Sequence, residues 1–421
     1  MTQSITRRAL IASGLGAAAC GRKDRRSDRK TRLQFSFYGE PIEVRTFDRI
    51  IARYQQLHPD VEIEREHISY QSRPDIDTLI AAGLGPDVFR VQYMDVGRYS
   101  PSNALIDLSR YLPSNFGDQF TPQTWAAVQY KGRPHALPHQ TDTSAILYNK
   151  TLFNRLGIRA PQSIEESWSW GEFIDVARAL KRGGCEFAFA VNWVLGGSFR
   201  WLNFLYQRGG CLLQHNYKQS AVPSDEALST IKWTQSFFRE GLVPMSDSAK
   251  SSEQLEYLFA SGVVGMYFDV GPQTIRELKT DFEWAATFLP QDRQKASELG
   301  GNAVGVSRTS KHPELAADFA LFLTDEENMR EFVTAAEFLP VRRKLIAEGI
   351  QYRYRPDEMR VHLEQSKTVP LGLARTVTLP EFHRIERVLG DELDLAFTGG
   401  QAAETTLENI AREVRRTTGQ L

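Results

Sequence analysis

The chain runs to 421 residues, too long for one compact core, so two lobes are the expected organisation. Its formal net charge of −1 excludes a global field that would draw it to nucleic acid or to acidic partners. Its three cysteines, Cys20, Cys185 and Cys211, give neither a disulfide framework nor the spacing of a metal site.

The chain opens MTQSITRRALIASGLGAAACGRKDRRSDRKTR. A basic pair, Arg7-Arg8, precedes an apolar run over 9–19 that is too short to span a bilayer but suits a signal-peptide core. TRRALI resembles a twin-arginine export signal. AAAC resembles the lipobox of bacterial lipoproteins, whose cysteine is acylated and becomes the first mature residue; Ala17 stands where that motif usually has Leu. A plain signal peptide with an incidental cysteine is the alternative. The charged polar tether that follows, to Arg32, favours the lipoprotein, and its Lys and Arg could rest on anionic headgroups. The expectation is a signal peptide over 1–19, acylation at Cys20, a tether over 20–32, and an exported chain held to the membrane only by lipid. After export Cys185 and Cys211 would meet an oxidising compartment and could pair; two separate buried thiols are the alternative.

Leu33, Phe35 and Phe37 alternate with polar residues and predict a strand. Phe47, Ile50, Ile51, Tyr54 and Leu57 recur at helical spacing until HPD stops the helix. VEIERE resumes a strand pattern, 75–82 reads as a second helix ended by Gly83, and GPDVFRV enters another strand. That alternation predicts a parallel sheet with right-handed crossovers.

Next comes ALPHQTDTSAILYNKTLF, over 136–153. Two apolar pieces flank the polar run His139-Gln140-Thr141-Asp142-Thr143-Ser144. Consecutive polar side chains are costly if buried dry. The run is therefore expected to meet water or a hydroxylated ligand. An exposed edge strand would explain the polarity, but not the apolar strand pieces on both sides.

Beyond it helices dominate. Ser169 and Glu172 form a capping box for a helix over 170–181, ended by Gly183-Gly184. SDEALSTIKWTQSFFREG and SSEQLEYLFASG are further helices, and VVGMYF is a strand. A loop is expected over 291–299. HPELAADFALFL is an amphipathic helix with Pro313 in its first turn, and Thr324 is expected to cap the next helix through Glu327. Two C-terminal helices are split by Gly399-Gly400.

The pieces LQFSFYG, ARYQQLHPDVEIE, LIAAGLGPDVFRV, ALIDLSRYL, KGRPHALPHQTDTSAILYNKTLF, SWSWGEFIDVARALK, GVVGMYFDVG, GGNAVGVSRTSKHPELAADFALFLTDEE and LPVRR follow one another in this order. With them the chain resembles the extracellular solute-binding proteins of bacterial ABC importers, in the maltodextrin-binding-like branch that takes sugars and related polar solutes. The resemblance implies an α/β fold of the two-lobed periplasmic-binding-protein type. Each lobe would be a mostly parallel sheet flanked by helices, with the ligand cleft between them. Lobe 1 would comprise 33–140 and 291–330, and lobe 2 would comprise 141–290 and 331–421. The run from His139 to Ser144 would be the first crossing between lobes, lining the cleft and flexing as a hinge. The protein would be a monomer without cofactor or metal, handing its solute to ABC permease subunits.

A sugar site needs a flat aromatic platform and planar polar groups that donate or accept in pairs. Such groups are expected at the carboxyl ends of strands. Tyr38 and Glu40 follow the first strand, although Glu40 could instead be a helix N-terminal carboxylate. Tyr93 and Asp95 follow DVFRV. Asp142 and Thr143 match the family position in the crossing. Trp193, before Gly196-Gly197, is a platform candidate, and Trp201 is shared between core and site. Tyr267 and Asp269 end a strand where the family often has an aromatic or a Gly-Trp pair. Gly301 and Asn302 resemble the family's Gly-Gly step, where backbone would approach ligand. Arg342, in LPVRR, matches a position that often faces the cleft; a surface arginine is the alternative.

HExxH, GxSxG and GxxxxGK[ST] do not occur, GLGPD lacks dinucleotide spacing, and the eight histidines are scattered. The competing reading is a secreted lipoprotein glycoside hydrolase, with Asp142, Asp269 and Glu40 as paired carboxylates.

Overall fold

The computed structural model describes residues 30–68, 76, 78–80, 82–193, 196–251, 255–269, 271 and 274–420. The signal-peptide, twin-arginine and Cys20 readings, and the tether up to residue 29, lie outside the described residues. Of the helix expected over 75–82, residues 76, 78–80 and 82 are described; 76 and 78–80 are helical and 82 lies in a turn.

The strands, in chain order, are β1 (Thr31–Tyr38), β2 (Val61–Ile68), β3 (Val88–Gln92), the short hairpin β4 (Gln129–Tyr130) and β5 (Arg133–Pro134), β6 (Ala136–Gln140), β7 (Ala145–Asn149), β8 (Phe187–Val191), β9 (Val264–Asp269), β10 (Trp284–Thr287) and β11 (Asn302–Val306). Among the described residues two larger sheets form beside that hairpin, in the orders β2-β1-β3-β11-β6 and β10-β7-β9-β8. The two-lobed α/β fold is as expected, but its sheets are mixed. β1 pairs in parallel with β2 and β3, as the strand–helix–strand alternation predicts. β11 runs antiparallel to both β3 and β6 because it re-enters the first sheet from the opposite lobe. In the second sheet β7 is antiparallel to β9 and β10, and only β8 and β9 are parallel.

The alternation of β1 puts Leu33, Phe35 and Phe37 wholly in the core. The helix Pro41–Leu57 lays Phe47, Ile50, Ile51 and Tyr54 on the same core, while Leu57, in its last turn, faces out. Pro41 suits the first helical position, where no N–H is needed. Helices Pro313–Leu323 and Glu326–Ala336 complete this layer. The layer continues through Phe338, Val341 and Leu345, so packing on the first sheet extends past residue 330, where the sequence reading ended it.

Ser169 and Glu172 cap the helix Trp170–Arg182 reciprocally: the Ser169 N–H donates to the Glu172 carboxylate at 2.7 Å. Those backbone and hydroxyl donors hold the Glu172 carboxyl below its usual range. The Thr324 cap is corrected. Asp325 accepts the Asn328 N–H at 2.7 Å, while the Thr324 hydroxyl donates back to Ala320 at the end of the preceding helix. Cys185 and Cys211 are unpaired, and burial raises both thiols.

Among the described residues the chain passes between the lobes three times: from β6 to β7, from β10 to β11, and from the helix Arg343–Glu348 to the helix Pro356–Ser366. Gly301 has φ +102, and a Cβ there would lie 2.5 Å from the Gln140 carbonyl oxygen. Gly184 has φ +103 with nothing near its missing Cβ. In chemical denaturation Gly184→Ala is expected to cost about 1 kcal/mol. Gly301→Ala, which adds a backbone clash, should cost about 3 kcal/mol; equal costs would contradict the close approach.

Candidate functional site between the two lobes

The polar run of the first crossing bonds mostly to the second crossing and to the stretch that leads into the helix Arg343–Glu348. The Thr141 N–H donates to the Leu339 carbonyl (3.0 Å), and Leu339 returns the bond (3.1 Å). The Thr141 hydroxyl donates to the Gly300 carbonyl (2.9 Å), and the Gly300 N–H donates to the Asp142 carbonyl (3.2 Å). The Thr143 hydroxyl donates to the Glu298 carbonyl (3.1 Å), and the Ser144 N–H to the Glu298 carboxylate (2.9 Å). These side chains are polar because each bridges two extended segments that lie outside a regular sheet. His139 is an exception to the expected cleft lining. It sits in the first core, its ring centroid 5.6 Å from that of Phe47 and 4.4 Å from that of Phe332. Burial and the Arg90 guanidinium hold it neutral.

Around this braid lies a cluster of charges. Glu298 is 1% exposed, and its carboxylate also accepts from the Ser144 hydroxyl and from Asn203 Nδ2 at 2.5 Å. The Arg200 guanidinium lies 4.0 Å away, in a short 3₁₀ turn after β8. Asp142 keeps some contact with solvent, yet its carboxyl is raised to about 7. Burial is the main cause and Glu298 the second, opposed by Arg200 and Arg90. Several buried atoms here form no hydrogen bond among the described residues: both amide atoms of Gln140, Tyr93 Oη, Asn192 Oδ1, Asn203 Oδ1 and Arg200 Nε, the last facing Glu298 only at 4.0 Å. Buried donors and acceptors are normally satisfied, so this convergence marks a place suited to a polar guest.

The structure brings several predicted residues together here. The Tyr38 hydroxyl hydrogen-bonds the Asn302 side chain. The Tyr93 N–H donates to the Gly301 carbonyl (3.4 Å), and burial followed by the Asp142 charge raises its phenol. Gly301 and Gly300 abut Gln140, Thr141 and Asp142, so the small residues let one crossing approach another. Thr143 and Asp269 meet through His362. Its Nδ1–H donates to the Thr143 carbonyl (3.0 Å), and its Nε2 is 3.8 Å from the Asp269 carboxylate. Burial lowers His362 to about 4, so the ring is neutral. The Tyr267 hydroxyl accepts from Asn192 Nδ2 (3.0 Å). Asp95 stands at the lobe interface, 3.0 Å from His383 of the helix Phe382–Phe397.

Four candidates are placed elsewhere. Glu40 is exposed at the start of the helix Pro41–Leu57, where a helix N-terminal carboxylate was the alternative. Trp193 and Trp201 are each 1% exposed and belong to the second core. Trp193 packs edge-on to Phe204 and against Phe397, and Trp201 Nε1 donates to Thr234 (3.3 Å). Neither offers a stacking face. Arg342 is buried in the first lobe: its Nε donates to the Thr324 carbonyl (2.7 Å), and its guanidinium lies over Phe120. Conversely Arg200, Asn203, Glu298 and His362 went unread. Only a charge set between Ala296 and Leu299 hinted at Glu298.

Residues 38–330 match the family described as bacterial extracellular solute-binding protein. The chain belongs to this family. The solute-binding protein is 30% identical to the maltotriose-binding protein of Pyrococcus abyssi over 57% of this chain and 49% of the relative, so it spans about half of that protein's length. It is 20% identical to the galactooligosaccharide-binding protein of Bacillus subtilis, over 96% of this chain and 94% of that one. Its fold is that of an ABC substrate-binding protein from Listeria monocytogenes in complex with cycloalternan (TM-score 0.76, 20% identity, 93% and 99% of the two chains). These relatives are binding proteins, and nothing among them supports the hydrolase alternative.

The raised carboxyl of Asp142 carries a pH signature. The folded state holds its proton more tightly than the unfolded chain, so its contribution to stability is full below about pH 3.8 and is lost as pH rises through about 7. Asp142→Asn should flatten the dependence of melting temperature on pH across this window. Parallel curves for the two proteins would remove Asp142 from the charge cluster.

Proposed function

We propose that this protein is an exported, lipid-anchored receptor that captures a sugar or related polyol and delivers it to the permease of an ABC importer. The observation that carries the reading is the convergence, beside the segments joining the two lobes, of buried polar atoms that form no hydrogen bond: both amide atoms of Gln140, Tyr93 Oη, Asn192 Oδ1, Asn203 Oδ1 and Arg200 Nε. Hydroxyl-rich solutes supply donors and acceptors in the numbers such a cluster can use. The sugar named for each of the three relatives supports the same class. Asp142, with Tyr38, Tyr93, Asn302, Tyr267 and Asp269 near the crossings, is the proposed contact set. Thr143, Gly301 and Asp95 position it, by joining crossings or lobes. The protein acts as a monomer, tethered through Cys20.

Binding works as closure. The lobes touch where the helix Leu371–Val377 packs on the helix Pro122–Ala127 and where Asp95 meets His383. A solute held from both lobes favours this arrangement, whereas a contact from one lobe alone does not shift it. Taking the equilibrium from mostly open to mostly closed needs about 5.5 kcal/mol of preference. A few charge-assisted hydrogen bonds, at about 1.5–3 kcal/mol each, supply that.

Titration calorimetry against a panel of neutral mono-, di- and oligosaccharides should find a reversible, one-to-one ligand. Asp142→Ala should weaken it by about tenfold or more. Unchanged affinity would remove Asp142 from the site, and catalytic turnover of the sugar would overturn the reading as a receptor. Separately, Cys20→Ser should move the exported protein from the membrane fraction to the soluble fraction; continued attachment would exclude acylation there.

A further inference from the structure

Away from the crossing cluster, a groove of about 800 Å³ lies between the lobes. Arg45 and Arg49 enter it from the helix Pro41–Leu57, Arg330 from the helix Glu326–Ala336, Arg276 from just beyond β9, and Arg353 with Tyr354 from the last crossing. Three carboxylates, Glu327, Glu331 and Glu337, line it as well, leaving an excess of positive charge. Two of these are already committed. Glu331 holds Arg49 (2.7 Å) and Arg53 (2.8 Å), and Glu337, 1% exposed, faces Arg276 at 3.6 Å. Arg276 keeps a buried Nη1 without a hydrogen bond, although its Nη2 reaches Glu277. Arg45 and Arg353 have no carboxylate partner among the described residues. Beside them Tyr354 is 52% exposed, the one aromatic ring among the described groove residues, which also include Ile42, Thr334 and Ala335.

Planar guanidinium groups that can bind a carboxylate or phosphate in a two-point fork, next to an open aromatic face, match a sugar ring bearing an acidic group. We infer that this groove receives the anionic end of an acidic saccharide, with Arg45, Arg276 and Arg353 on the anion and Tyr354 on the ring. The inference rests on the sugar-receptor reading and narrows its solute class. The groove draws on both lobes, so an anion bridging Arg45 and Arg276 would also favour closure.

The test is titration calorimetry of the exported protein with maltotriose, trigalacturonic acid and inorganic phosphate, at low and high salt. Trigalacturonic acid should bind at least about tenfold more tightly than maltotriose at low salt, and the gap should shrink as salt rises. Arg45→Ala combined with Arg353→Ala should cost the acid at least about tenfold more affinity than it costs maltotriose, and Arg353→Lys should restore part of the loss. Maltotriose binding with no preference for the acid would overturn this inference and leave the receptor reading standing. If inorganic phosphate binds as tightly as the acid and competes with it, the groove is a simple anion site and the saccharide assignment fails. Failure of both saccharides to bind would count against both readings.

Discussion

Everything in this protein depends on how three stretches of chain cross between two lobes without belonging to a sheet in either. Extended backbone outside a sheet has donors and acceptors to satisfy, and water is largely shut out of this region. The first two crossings satisfy each other, since Thr141 pairs with Gly300 and Thr143 and Ser144 pair with Glu298, and Thr141 also pairs with Leu339 in the stretch before the helix Arg343–Glu348. The buried carboxylate of Glu298 is held by backbone, hydroxyl and amide donors at once. That placement sets the charge environment of Asp142, and the glycines at 300 and 301 exist where any side chain would collide with the first crossing.

Much of the fold was legible because it rests on local periodicity. The alternation in β1, the stripe of the helix Pro41–Leu57 and the Ser169–Glu172 capping box all appear where the sequence places them. Strand direction in the second sheet was not legible, since β7, β9 and β10 pair across long sequence separations that periodicity does not record. Thr324 was misread for a related reason. Adjacent Thr and Asp both suit a cap, and the preceding helix had already claimed the threonine hydroxyl.

The site was half legible. The polar run between two apolar strand pieces marked the crossing, and residues at strand ends, such as Tyr38, Tyr93 and Asp269, fell near it. The tryptophans misled because a large ring beside glycines reads alike whether it faces a cleft or fills a core; Trp193 and Trp201 fill one. Arg342 misled in the same way, its guanidinium serving a helix end and aromatic rings. Glu298 and Arg200 were hidden because their roles come from partners 154 and 98 residues distant, Ser144 and Glu298 respectively.

The account therefore makes one central statement: a hydroxylated solute lies between the lobes against the crossing segments. The most direct measurement is a crystal structure of the protein grown with a sugar that calorimetry shows to bind. The account predicts the sugar in contact with Asp142 and Gln140, touched by residues of both lobes. A sugar seated on one lobe alone, away from 140–144 and 298–302, would contradict it.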